Sequence, residues 1–551
     1  MHQQRICPLW AQIFIALSFY ITPVKSQQKL PIIKANTNAV TIKDGPVILT
    51  DTWTLSPEIK PDRYYAIKSA TAKNITFYTD VDSISFHCVP GRSYDFAVIL
   101  KGKDTCYTKI VTESDASTKN VSYQKLMSRE LLAMDFTIFR DYMERTHAGL
   151  YRYQNKKQID QLFDQGLQSI KGPMEKLEFG KIIMQIISQI HDGHTGTNLS
   201  SMILKTYRDS TKLFPLLLYF DHRGAYVRCG KLSSLPMGTE IIAINGQKIA
   251  QIRKVLYTLL PSDGKSESKK RHTLNNGAFA FLYRLFFGDS NSFSITYKTT
   301  NGKTIKGQIN AAILKDFDCE IGPNPPKGKE LQLSYPDSHI ALLTIKTFDQ
   351  SRLAQANLDF PKFLESSFKE LKERKIEQLI VDVRGNGGGF NEYGPLLYAY
   401  LAKENFAYFK AVYQAIDPNP IQGNRLTQIQ EPKPNRYDGE VIFLTDGLTF
   451  STAADFCAIA KSNNRGKFIG EETAGAYQGN NSGKTLKLEL PNTKIQIVIP
   501  KYRYVNAVKR TRYFERGVMP DHVIIPSLTD ITEQRDVQLN YALKEFGKME
   551  K

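Results

Sequence analysis

Two continuous apolar runs, QLIVDV at 378–383 and EVIFLT at 440–445, constrain the fold of this chain more than any other feature. Runs of this length without polar alternation read as strands buried on both faces, the habit of a parallel sheet covered by helices. The flanking pattern agrees. From Ser338 onward HIALLTI, FPKFLESSFKELKERK, QLIVDV, EVIFLT, TAADFCAIAKS and KFIG alternate strand with helix. In the first helix Phe360, Phe363, Leu364, Phe368 and Leu371 fall on one face. TLKLEL and KIQIVIP alternate about a PNT turn and read as a hairpin appended to that sheet.

The chain has 551 residues, too many for one core, and it is expected to be multidomain and α+β. Residues 1–26 read as a secretory signal peptide, with Arg5 ahead of an apolar run from Leu9 to Val24 and a small-x-small site at Val24-Lys25-Ser26. An uncleaved anchor is the alternative. No later segment is apolar enough to span a bilayer, so the expected location is periplasmic or extracellular. Residues 27–122 carry short strand-like runs between turn residues and predict a β-sandwich-like module, which either packs against the remainder or binds on its own. Residues 123–210 are a helical segment in which Leu177, Ile182, Ile183, Ile186, Ile187 and Ile190 share a face. It ends at HDGHT, where Gly193 is expected to permit a sharp turn. Residues 211–330 contain LPMGTEIIAINGQKIAQI, a strand, an Asn-Gly turn and a helix that resemble the core of a PDZ module, either a structural remnant or a working peptide reader. Residues 331–551 form the α/β domain.

A net charge of +18 is scattered rather than gathered into a patch interleaved with aromatics, which argues against nucleic acid as a partner. Cys7 would leave with the signal. Cys88, Cys106, Cys229, Cys319 and Cys457 remain, without a CxxC pair, so no zinc site is encoded. Cys88 and Cys106 lie in neighbouring predicted strands, and a bridge between them is left open.

The two apolar strands break at VRGNGGG and DGLTFS, and the carboxyl ends of strands are where open α/β sheets place ligands. A serine at a helix start is ordinarily a cap, and a glycine loop is ordinarily a turn. Here HDGHT, VDVRGNGGG, TFSTAADF and IGEETAG occur in that order, followed by GVMPD. In these motifs the chain resembles the tail-specific (C-terminal processing) serine peptidases of family S41, with the tricorn core peptidase and the interphotoreceptor retinoid-binding modules as relatives, over roughly Ser128 to Leu543. The resemblance implies a crotonase-like (ClpP/crotonase) α/β domain and a serine-type endopeptidase. Such an enzyme needs no cofactor and acts on peptides or unfolded proteins; oligomeric state is left open.

By position, Ser451 matches the nucleophile, and the backbone N–H groups of Gly388 and Thr452 match the oxyanion hole. Asp382, Arg384 and Asn386 are expected to brace the loop. Ala476 stands where the Ser-Lys members carry their lysine, and the next lysine downstream is Lys484. The chain is therefore closer to the tricorn-like, histidine-using branch, in which His194 matches the base. Gly193 replaces that branch's serine, and Glu515 lies near its carboxylate and is expected to orient His194. Two alternatives stand beside this reading. His191 and His194, flanking Asp192, resemble a pair of metal ligands, and a catalytically silent peptide- or apolar-ligand-binding protein is possible on the same fold.

Overall fold

The computed structural model describes residues 126–198, 209–230, 235–299, 301–317, 330–415 and 417–549, together with the backbone of eight strands between Ile32 and Lys109. The chain divides into two compact units. The first comprises Met1–Phe139, Gly172–Lys176 and Lys487–Gln496. In it Gly45–Ile48, Tyr64–Lys68, Ser93–Lys101 and Asp104–Lys109 form one sheet in that order, and Lys73–Tyr78 pairs antiparallel with Ser83–Cys88. The signal peptide lies outside the described residues, as do the side chains on which a sandwich core and a Cys88–Cys106 bridge would rest. Asp135 is buried in this unit and accepts hydrogen bonds from the Thr493 amide (2.8 Å), the Thr493 hydroxyl (2.7 Å) and the Asn492 amide (3.1 Å), which pins the PNT turn.

The second unit is built on a six-stranded sheet in the order Leu331–Ser334, Ile340–Ile345, Gln378–Asp382, Glu440–Thr445, Lys467–Gly470, His522–Val523. The first pair is antiparallel and the rest are parallel. Alternate residues of the two apolar strands enter different cores, as a doubly covered sheet requires. Leu379, Val381, Val441 and Phe443 face the helices Phe360–Glu373 and Thr452–Ser462. Ile380, Ile442 and Leu444 face Ala542 and Phe546 of the C-terminal helix. The Thr452–Ser462 helix is buried all round apart from Lys461, and its alanines let it lie close to the sheet.

The hairpin is placed differently from the expectation. Asn481–Glu489 and Gln496–Asn506 do not extend the main sheet but form a separate one with Phe409–Gln414, and Gly196–Asn198, just beyond HDGHT, pairs with Gln496–Asn506. In the 211–330 region the Asn-Gly turn is present, with φ of 48° at Asn245 and 78° at Gly246, between Glu240–Ile244 and Gln247–Lys248. These strands belong to a sheet ordered Leu217–Phe220, Ala225–Cys229, Glu240–Ile244, Ser292–Lys298, Thr304–Asn310. Cys229 is disulfide-bonded, while Cys457 is buried and free.

Where the Gln378–Asp382 strand ends, an ionic network fixes the direction of the glycine loop. Arg384 donates to both oxygens of Asp382 (2.9 Å each), to both of Asp536 (2.7 and 2.8 Å) and to Gln538 Oε1 (3.0 Å). Lys346 adds a contact to Asp382 Oδ2 at 3.1 Å. Burial of Asp382 works against its charge, but Arg384 and Lys346 outweigh it and hold the carboxyl down to about 2. Removing one partner of a buried pair leaves the other charge poorly compensated. Arg384→Met is therefore expected to cost about 3 kcal/mol in urea unfolding; a loss below about 1 kcal/mol would show that the network is not a stabilising anchor.

Candidate active site

Two turns meet at the carboxyl end of the sheet, and a single asparagine joins them. Asn386 Nδ2 donates to the Ile345 carbonyl (3.1 Å), its Oδ1 accepts the Gly388 N–H (2.9 Å), and its carbonyl accepts the Phe450 N–H (2.9 Å). Thr449 Oγ1 donates to the Val383 carbonyl at 3.0 Å. Gly388, at φ 94°, lies so close that a Cβ on it would sit 2.7 Å from Ser451 Cβ and 3.1 Å from the Thr452 nitrogen. A side chain there would push the two turns apart.

Ser451 has φ 53° and ψ −129°, a conformation that residues with a Cβ rarely adopt. A helix cap would sit in the extended region with its oxygen on an N2 or N3 amide. Ser451 makes no such bond, so it is not acting as a cap. Its backbone instead presents the side chain at the N-terminus of a helix, where the Thr452 N–H has no hydrogen-bond partner among the described residues. The positive end of that helix favours negative charge. Gly475 closes the other side, where a Cβ would come within 3.0 Å of the Ser451 nitrogen.

The histidine turn reaches the same place. The His194 ring stacks on Phe450 with centroids 4.3 Å apart, so the imidazole lies against the residue that precedes Ser451. The positive φ in this turn falls at His191 (61°) rather than at Gly193. Gly193 is instead needed for close approach: a Cβ there would lie 2.9 Å from the Phe450 ring and 3.0 Å from Asp263 Oδ1. Beneath the turn, His147 Nδ1 accepts the Gly149 N–H (3.1 Å), which leaves Nε2 as the donor to Asp192 Oδ2 at 2.9 Å. Asp192 Oδ1 accepts the His194 N–H at 3.1 Å. Asp263 takes the Gly193 N–H (2.6 Å) on one oxygen and the Ala476 N–H (3.3 Å) on the other.

These environments separate the two carboxylates. Burial opposes the charge on Asp192, but His147, His194 and Thr195 more than compensate and hold it ionised. Burial together with the Asp192 charge raises Asp263. His194 is pushed down to about 4, chiefly by burial, with Lys269 and Arg152 adding to the effect and Asp192 opposing it. One ligand atom each from Asp192, His194 and Asp263 lie within 4.8 Å of one another, so this trio, rather than His191 with His194, is the group that could hold a cation. All four carboxylate oxygens already accept hydrogen bonds, as a bracing framework would.

The structure thus brings Ser451, Thr452, Gly388 and His194 together, with two corrections. The Gly388 N–H is spent on Asn386 Oδ1, whereas that of Gly389 has no partner among the described residues. Glu515 is not at the histidine: it is half exposed and pairs with Lys265 at 2.7 Å, and among the described residues no carboxylate hydrogen-bonds the His194 ring, Asp192 Oδ1 standing 4.0 Å from its Nδ1. Ala476 is buried, and Lys484 is exposed on its strand. His147, Asp263 and Lys269 carry no local motif and were invisible in the sequence. A cavity of about 560 Å³ borders the glycine loop, lined by Gly387, Gly388, Gly389, Thr347, Asp349 and Arg352 among others.

Residues 339–524 match the sequence model of peptidase family S41. No curated protein sequence is similar enough to count as a match. Among solved structures the chain is similar to mature CPAF at 14% identity, with 75% of this chain and 96% of that one covered and a TM-score of 0.52, a likeness of fold. It is also similar to the photosystem II D1 C-terminal processing protease, at 14% identity over 73% of this chain and 94% of that one, with a TM-score of 0.36.

A buried imidazole resists protonation. In an NMR titration, His194 is expected to have its midpoint near 4 and to stay neutral at all higher pH. A midpoint at or above the ordinary value of about 6.5 would contradict this account of its surroundings.

Proposed function

Residues 339–524 are a peptidase family S41 domain, and on that footing we propose that the chain is an exported serine-type endopeptidase using Ser451 as nucleophile and His194 as base. Ser451 Oγ attacks the substrate carbonyl while His194 takes its proton. The Thr452 and Gly389 amides stabilise the oxyanion, the protonated histidine returns the proton to the leaving amine, and water releases the acyl-enzyme. The backbone of Ser451 carries the reading: φ 53° with an uncapped hydroxyl at a helix N-terminus is strain without a structural return. Ser451 and His194 share no hydrogen bond here, and catalytic bonds of this kind often tighten only with substrate present.

The substrate is a peptide or unfolded chain laid along the glycine loop, whose neighbouring cavity offers Asp349 and Arg352 beside open backbone. Export is supported by the apolar N-terminus and by the disulfide at Cys229, which suits a periplasmic or extracellular setting. No helix among the described residues is long and apolar enough to cross a membrane. A silent ligand-binding protein is the second reading, favoured because no carboxylate among the described residues hydrogen-bonds the His194 ring.

Because Ser451 does not cap its helix, Ser451→Ala is expected to fold with a loss below the ~1 kcal/mol typical of a lost cap. Wild type should gain the mass of a serine-directed fluorophosphonate and hydrolyse an unfolded protein, and Ser451→Ala should do neither. A wild type that neither labels nor cleaves would select the binding-protein reading, and hydrolysis by Ser451→Ala at the wild-type rate would remove Ser451 from the mechanism.

A further inference from the structure

The run Ser268–Thr273 is a short helix carrying four consecutive basic groups, and three of them are tied away from the site. Lys270 donates to the Tyr257 carbonyl at 3.0 Å, and Arg271 and His272 both bond Glu471. Lys269 alone faces inward. Its Nζ donates to the Gly193 carbonyl at 2.5 Å and lies 4.0 Å from the centroid of the Phe450 ring. Gly193 immediately precedes His194, and Phe450 immediately precedes Ser451, so one ammonium touches both turns of the site.

A partly buried lysine ordinarily needs a counter-ion. No carboxylate lies within ion-pair distance of Lys269 among the described residues, although Asp263 and Asp192 act on it from farther off. The carbonyl and the negative face of the ring offset its burial only in part, and burial still holds the ammonium below the ordinary lysine value. Its charge is therefore not cancelled locally, and it acts on the neighbouring imidazole, which faces Asp192, Lys269 and Arg152. Arg152 is engaged elsewhere, with the Gln478 and Tyr504 carbonyls at 2.9 Å each and Asn481 Oδ1 at 3.1 Å.

We infer that Lys269 is a positioning residue of the catalytic centre: its ammonium ties the His194 turn to the Phe450–Ser451 turn and places a positive charge beside the imidazole. The charge disfavours a second cation on His194 and so lowers the ring's affinity for a proton, adding to the effect of burial. The tie holds Phe450, and with it the stacked histidine, in register with Ser451. The kinetic consequence rests on the peptidase reading, whereas the effect on the imidazole does not.

The test follows the His194 ring resonance in histidine-labelled full-length protein and, in parallel, hydrolysis of a denatured, fluorescence-quenched protein substrate. Wild type is compared with Lys269→Met and with Lys269→Gln, which keeps a donor for Gly193 but no charge. In both variants the His194 midpoint is expected to rise by at least about half a pH unit. In Lys269→Met, which also loses the tie, turnover is expected to fall by about tenfold or more with KM changed less than about twofold, and in Lys269→Gln, which keeps the donor, by less. A wild-type midpoint in either folded variant, or wild-type turnover in folded Lys269→Met, would overturn the inference, and the Lys269→Gln midpoint carries the test if Lys269→Met does not fold. Should the wild type hydrolyse nothing, the peptidase reading fails, and the titration still decides whether Lys269 sets the charge at His194.

Discussion

The meeting of the glycine loop with the Ser451 turn depends on Asn386. It spans the end of one strand and the glycine loop with its amide, while its own carbonyl holds the Phe450 N–H. Three hydrogen bonds from one residue convert two separate loops into a single rigid junction. The junction forces Gly388 into contact with Ser451, and that contact is compatible with the unusual backbone of Ser451 only because position 388 has no side chain. Strain of this kind persists where surrounding bonds over-determine it. The Arg384–Asp382–Asp536 network does the same one step back, fixing where the loop leaves the sheet.

Much of the sheet was legible because burial on both faces leaves a crude and therefore robust mark. QLIVDV and EVIFLT needed no knowledge of partners to be read as central strands, and their residues divide between the two cores as that reading requires. The hairpin was legible as a hairpin but not as part of a particular sheet. Alternation of period two reports one buried face and says nothing about which strand lies alongside.

The site was legible in its motifs and illegible in its hydrogen bonds. The resemblance implies the Gly388 N–H for the oxyanion, yet a side chain two residues earlier takes it. Gly193 was expected to turn the chain; the turn is made at His191, and Gly193 serves a contact with Phe450, far away in sequence. The resemblance implies Glu515 beside His194, and Lys265, from another part of the chain, pairs with it instead. His147, Asp263 and Lys269 follow the same rule. Each acts through a contact made only once distant segments have folded together, and no periodicity encodes such a contact.

On the proposed mechanism this junction presents a nucleophile beneath amides that have no partner among the described residues, rather than building a stable corner. A crystal structure of the protein treated with a serine-directed phosphonate tests that claim directly. The expected result is a covalent bond from phosphorus to Ser451 Oγ, with the phosphoryl oxygen about 3 Å from the Thr452 nitrogen and the His194 ring still against Phe450. An adduct on another residue, or a phosphoryl oxygen turned away from the Thr452 amide, would contradict it.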